Sequence, residues 1–160
     1  MNKNNFAYFL VLLFFLPFYS CRHIEDEDHH YTIRFANNSN KAIYIASPGY
    51  PDTTVSDCGT LLEPQIYKAL PKEVNTSALD NRERWELAFG NRDQLPYDTL
   101  IIFVLDAEKL EARNAHAKYA LLVRYDLGLK DLQRVNWMLT YPPSENMKDI
   151  KMWPPYKKQE

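Results

Sequence analysis

The residues of this chain that can do chemistry are few and far apart. Cys58 stands in Ser56-Asp57-Cys58-Gly59-Thr60, and the one histidine beyond residue 30 is His116. A thiol and an imidazole can make a nucleophile and its base. No nucleophile signature surrounds Cys58, however, and a lone cysteine more often packs as a small hydrophobe. His23, His29 and His30 flank Glu25, Asp26, Glu27 and Asp28, and imidazole with carboxylate suits Zn or Ni. A metal site needs ligands held in fixed geometry, which an acidic run does not supply, so neither metal nor cofactor is expected. Asp52, Asp57, Asp93 and Asp98 fall in loops, where two carboxylates about 5 to 10 Å apart would suit glycoside hydrolysis. Sequence spacing does not bring any two of them together. There is no phosphate-cradling glycine motif and no serine elbow. No catalytic residue is therefore assigned. Aromatic side chains remain: Trp85 and Trp137 alternate within apolar segments and read as core anchors. That leaves Tyr50, Tyr97 and Trp153 as the candidate ligand contacts.

One further residue type and position matters, Cys21 at the end of the leader. The chain opens with Lys3, runs apolar from Phe6 through Phe18 with Pro17 as the one break, and reaches Ser20-Cys21. A positive start, a short apolar run and a small residue make an export signal. Phe6 to Tyr19 is shorter than the roughly 20 residues a membrane-crossing helix needs, and Pro17 removes a backbone donor near its end. Cleavage as an ordinary secretory signal wants small residues at both −3 and −1, and Phe18 is large.

Phe18-Tyr19-Ser20-Cys21 resembles the lipobox of bacterial lipoproteins. The resemblance implies that Cys21 carries diacylglycerol on its sulfur and becomes the new, acylated N-terminus. Phe18 stands where leucine is usual, and Tyr19 where a smaller residue is usual. Two or three acyl chains on one residue hold a domain durably, since each buried methylene contributes about 0.8 kcal/mol. The acidic run Glu25–Asp28 resembles the surface-export signal that follows the lipidated cysteine in lipoproteins of the Bacteroidota. It also reads simply as an acidic linker, because four adjacent carboxylates repel one another and stay solvated. The expected organisation is a signal peptide over 1–20, an acidic tether over 21–30, a β-rich domain over 31–143 and a tail over 144–160 that is partly ordered at best, with Met152 or Trp153 packing back.

Cleavage after Ser20 would remove one lysine from a chain of formal net charge −2, leaving it weakly acidic. A weakly acidic chain with no basic cluster argues against nucleic acid as a partner. Residues 21–160 suit one domain with a real core. With Cys21 acylated, Cys58 has no partner within the chain, so packing rather than disulfides must hold the fold.

The elements follow from periodicity. Tyr31–Ala36 alternates as a half-buried strand, Asn37–Asn40 reads as a turn, and Ala42–Ala46 as a second strand, together a hairpin. Ser47–Gly59 is rich in turn formers and is the best candidate binding loop. Gln65–Leu70 and Trp85–Phe89 read as strands. Thr99–Leu105 is apolar on both faces, which predicts a central strand covered on both sides. Asp106 caps a short helix over 107–112. Lys118–Tyr125 is another strand, Leu127–Val135 a short helix, and Asn136–Tyr141 the last strand.

The segment Tyr125–Trp137 continuing to Tyr141-Pro142-Pro143 is similar to the closing motif of small uncharacterised Bacteroidota lipoproteins. That resemblance implies a cell-envelope location and a strand-rich domain, and no activity. The expected fold is mainly β, an antiparallel two-layer sandwich with two short helices in its connections. The alternative is one sheet with helices on one face. The expected function is a lipid-anchored protein of the outer membrane, facing either the cell surface or the periplasm, bound to the membrane through acyl chains on Cys21. Its domain would bind a glycan or an envelope protein without catalysis; the rival is a small envelope hydrolase using loop residues near Cys58.

Overall fold

The computed structural model describes residues 25–47, 67–95, 97–112 and 116–158. Cys21, Tyr50 and Cys58, with the rest of residues 48–66, lie outside the described residues. The fold is mainly β, as the periodicity predicts. Among the described residues, eight strands form two sheets: β1 (Arg34–Asn37), β2 (Ile43–Ala46), β3 (Lys68–Ala69), β4 (Val74–Asn75), β5 (Leu100–Asp106), β6 (Leu121–Leu127), β7 (Met138–Tyr141) and β8 (Lys151–Trp153). Their spatial orders are β4-β1-β7 and β3-β2-β5-β6-β8. Among the described residues four short helices, and not the expected two, connect them: α1 (Trp85–Ala88), α2 (Ala107–Glu111), α3 (Ala117–Ala120), which takes the start of the strand expected over Lys118–Tyr125, and α4 (Leu129–Arg134). None is long and apolar enough to cross a membrane.

The side-chain parity of the large sheet builds the core. Ile43, Ile45, Leu100, Ile102, Val104, Val123, Tyr125 and Leu127 point one way and meet Phe35 and Leu139 of the small sheet. Tyr44, Ala46, Ile101, Phe103 and Leu105 point the other way, where Ala107, Leu110, Ala117 and Ala120 of α2 and α3 cover them. Every residue of β5 is buried, so the expected two-sided central strand is what forms. A register shift at Val104/Leu105 pairs Val123 and Leu121 with them in turn and leaves Leu122 over. That bulge lets Val123 face one core cluster and Leu121 the other.

Four expectations are corrected. Strands β1 and β2 do not form a hairpin, because they belong to different sheets. Alternation identifies a strand but not its partner, and the chain crosses between layers at Asn37–Ala42. The sandwich is not wholly antiparallel: β1 pairs with β7 in parallel, Phe35 opposite Leu139. Their long separation in sequence allows the crossover that a parallel pair needs. Trp85–Phe89 is helical rather than extended. Trp85, Ala88 and Phe89 are buried while Leu87 is 50% exposed, a spacing of three to four and not two. The segment after Pro143 belongs to the fold, with Met147 and Ile150 in the core and β8 paired to β6.

Candidate functional site

The acidic run does not behave as a solvated tether from Glu25 onward. Glu25 Oε1 accepts the backbone amides of Tyr31 and Thr32 at 3.1 and 2.7 Å. Asp26 and His29 exchange backbone hydrogen bonds across a tight turn. Asp26 Oδ1 accepts from His29 Nδ1 at 2.6 Å and from the Asp28 amide at 2.9 Å. The His29 contact, helped by the Asp28 amide, lowers the pKa of Asp26. Local donors thus use two of the four carboxylates, which is why like-charge repulsion does not keep the segment open.

His30 ends this turn and anchors it. Its ring lies flat on the Trp137 indole, centroids 4.2 Å apart and planes 12° from parallel. Nδ1 donates to Glu86 Oε1 at 2.7 Å, and the His30 amide donates to Glu86 Oε2 at 3.2 Å. The first residue of α1 closes the knot, the Trp85 amide donating to the His30 carbonyl at 2.8 Å. Nδ1 is thus committed to the Glu86 carboxylate. Beside His30 runs a cleft of about 380 Å³ lined by Glu25, Thr32, Arg34, Asn136 and Trp137 among others. The Trp137 position depends on backbone with positive φ at Asn136 (51°) and Trp137 (55°), an unusual geometry for non-glycine residues. A hydrogen bond from the Trp137 amide to the Leu132 carbonyl, at 2.9 Å, holds it at the end of α4. Trp137 is indeed a core anchor, 3% exposed, and so is Trp85 at 8%.

A second cleft, of about 320 Å³, lies among Asp80, Asn81, Trp85, Gln94, Thr99 and neighbouring apolar residues. Asp80 accepts from the Thr32 hydroxyl at 3.2 Å, and Gln94 donates to Glu83 at 3.0 Å.

The candidate ligand contacts are not gathered in one place. Tyr97, 64% exposed, sits in the turn before β5. Trp153, 62% exposed, lies on the edge strand β8 opposite Arg124, whose neighbour across β6 is Phe103, inside β5. Around Trp153 the charges are already paired. Arg124 holds Asp126 through both Nε and Nη2, and Lys151 Nζ reaches the same carboxylate at 3.0 Å. Burial raises the pKa of Asp126, but Arg124 and Lys151 overcome it and the net shift is downward. The result is an open indole on a strand whose polar neighbours are fixed.

The remaining candidates stand apart. His116 is the residue before α3, its ring edge-on to Tyr119. Asp93 and Asp98 are exposed in the turns between α1 and β5. No group of three potential metal ligands occurs among the described residues. The His30–Glu86 pair was not visible in the sequence, since 56 residues separate its members and neither sits in a motif. Compared with protein-family models, curated proteins and solved structures, the chain shows no significant match.

Proposed function

We propose that this protein is a lipid-anchored component of the bacterial outer membrane whose β-domain binds a glycan or an envelope protein without catalysing a reaction. The anchor is supported by the Phe18–Cys21 pattern and the short apolar leader before it. The observation that carries binding is Trp153, an exposed indole on a paired strand beside charges fixed by one another. An indole offers roughly 150–250 Å² of surface, and covering its open part would contribute on the order of 2–3 kcal/mol to a complex. Sugars and protein side chains both use such a platform.

The test uses the mature chain without acyl groups, screened on a glycan array and against solubilised envelope proteins, and compared with Trp153→Ala. Loss of about tenfold or more in affinity, with an unchanged melting temperature, is the expected result for a contact of this kind. Equal binding by the variant would remove Trp153 from the site. Mass spectrometry of the native protein reads the anchor directly, as an acylated Cys21 at the N-terminus.

A further inference from the structure

We infer that the pole of the domain formed by Glu25–Arg34 and Asn136 rests against the lipid headgroup surface, and that the pole bearing Asp106 and α2 points away from it. This orientation depends on the proposed lipid on Cys21. Three residues separate Cys21 from Glu25, so the reach between them is at most about 14 Å, four steps of extended chain. Glu25 is not free to lengthen that reach. Its carboxylate is bonded to the amides of Tyr31 and Thr32, and five residues on His30 is stacked on Trp137 and bonded to Glu86.

The opposite pole follows from the strand directions. β1 leaves the entry turn at Arg34 and ends at Asn37, whose amide Nδ2 donates to the carbonyls of Lys41, Ala69 and Leu70. Lys41 in turn reaches Asp106, where β5 ends and α2 begins. Entry turn and α2 therefore lie at opposite ends of β1. They also lie on opposite sides of the large sheet, because α2 and α3 cover the face turned away from the small sheet. A chain of this size folds to about 35 Å across, more than twice the tether's reach. The entry pole cannot leave the bilayer surface far behind, whereas the α2 pole stands clear of it. Four carboxylates in the entry turn, at positions 25 to 28, keep the contact at the level of headgroups rather than within hydrocarbon. Trp153, on the edge of the large sheet, stays open to solvent in this arrangement.

Energy transfer from a single label to the membrane tests it. The acylated full-length mature protein, with Cys58→Ser, would be reconstituted in phosphatidylethanolamine–phosphatidylglycerol vesicles carrying an acceptor dye on the lipid headgroup. One donor would be attached at Asp28→Cys and, in a separate sample, at Glu108→Cys; both positions are exposed. Glu27→Cys and Lys109→Cys serve as a second pair should either variant fold poorly. The expected result is transfer several-fold stronger from position 28 than from 108. Inserting about ten glycine and serine residues before Glu25 adds roughly 17 Å of root-mean-square reach and should bring the two values together. An acylated Cys21 with equal transfer from both positions overturns the orientation alone. An unmodified Cys21 brings down the anchor, and the orientation with it.

Discussion

Asn37 is fully buried, and its side chain leaves no hydrogen-bonding capacity unused. Nδ2 faces the carbonyls of Lys41, Ala69 and Leu70 at 2.7 to 3.1 Å, while Oδ1 accepts from the amide and hydroxyl of Ser39. It therefore ties β1 to the turn before β2 and to β3 at once. Asn37→Ala should cost about 1–3 kcal/mol, the penalty for buried carbonyls left without donors. Asn37→Asp should cost more, since it sets a carboxylate against three carbonyl oxygens at nearly the same volume. Urea denaturation of the two variants checks this; an aspartate variant as stable as wild type would mean that the amide is not the tie. In the sequence Asn37 reads as the first residue of a turn, whereas it is the last residue of β1. That it turns inward was not legible, because Asn37-Asn38-Ser39-Asn40 offers several equivalent amides and only packing selects one.

Acid stability draws on the carboxylates whose pKa the fold lowers, Asp106 and Asp126 being the two that are buried. Burial pushes Asp106 upward, but the Lys109 amide and the Lys41 ammonium outweigh it, so its pKa falls below the ordinary 3.8. Asp126 is lowered in the same way by Arg124 and Lys151. A depressed folded-state value means stability fully present above 3.8 and lost as the pH drops below it. At the alkaline end burial first, and then Glu111, raises Tyr44 from 10.0 to about 12. That contribution is whole below 10.0 and is lost as the pH rises from there through the raised value. Melting temperatures across pH should fall at both ends, and Asp126→Asn should flatten the acid limb. An acid limb unchanged in that variant would assign the titration elsewhere.

At the scale of elements, β5 is the clearest case of a structure legible in advance. Thr99–Leu105 has no polar face, and a strand with no polar face must be covered on both sides. The structure supplies a sheet on one side and two helices on the other. Truncation should therefore be costly on both faces: about 2–5 kcal/mol for Ile102→Ala toward the small sheet, and about 3–5 kcal/mol for Phe103→Ala toward the helices. In the single-sided sheet that was the alternative, one of the two would be nearly neutral. The helix α1 shows the opposite lesson. Trp85-Glu86-Leu87-Ala88-Phe89 fits a period of two as well as one of three to four over so few residues. What decides it is the tertiary use of each side chain. Trp85 donates its indole N–H to the Leu79 carbonyl at 3.3 Å, and Glu86 must face outward to take His30. Neither requirement leaves a trace in local periodicity. The same holds for the candidate site: exposed Trp153 was singled out by residue type, whereas His30–Glu86 exists only once the chain is folded.

At the scale of the whole molecule, the domain extends further than composition suggests. Pro142-Pro143 looks like the end of the ordered chain, because proline stops a strand and charged residues follow. Yet Met147 is fully buried, Ile150 is 4% exposed and Met152 packs on the same core. The short turn Glu145–Met147 brings the chain back so that β8 becomes the outer strand of the large sheet. Without it, β6 would present an unpaired edge, and Asp126 would lose Lys151, one of its two cationic partners. A chain stopped after Pro143 should thus lose three apolar side chains from the core and gain a sticky edge at the same time. Each buried side chain contributes about 1.5–3 kcal/mol, and three together approach the 5–15 kcal/mol that stabilises a typical domain. The expected outcome is a product that fails to unfold cooperatively and aggregates. A chain stopped after Tyr156, which removes exposed Lys157 and Lys158 but keeps β8, should melt within a few degrees of the full-length protein. Cooperative melting of the shorter product at an unchanged temperature would show that β8 decorates a fold already complete at residue 143.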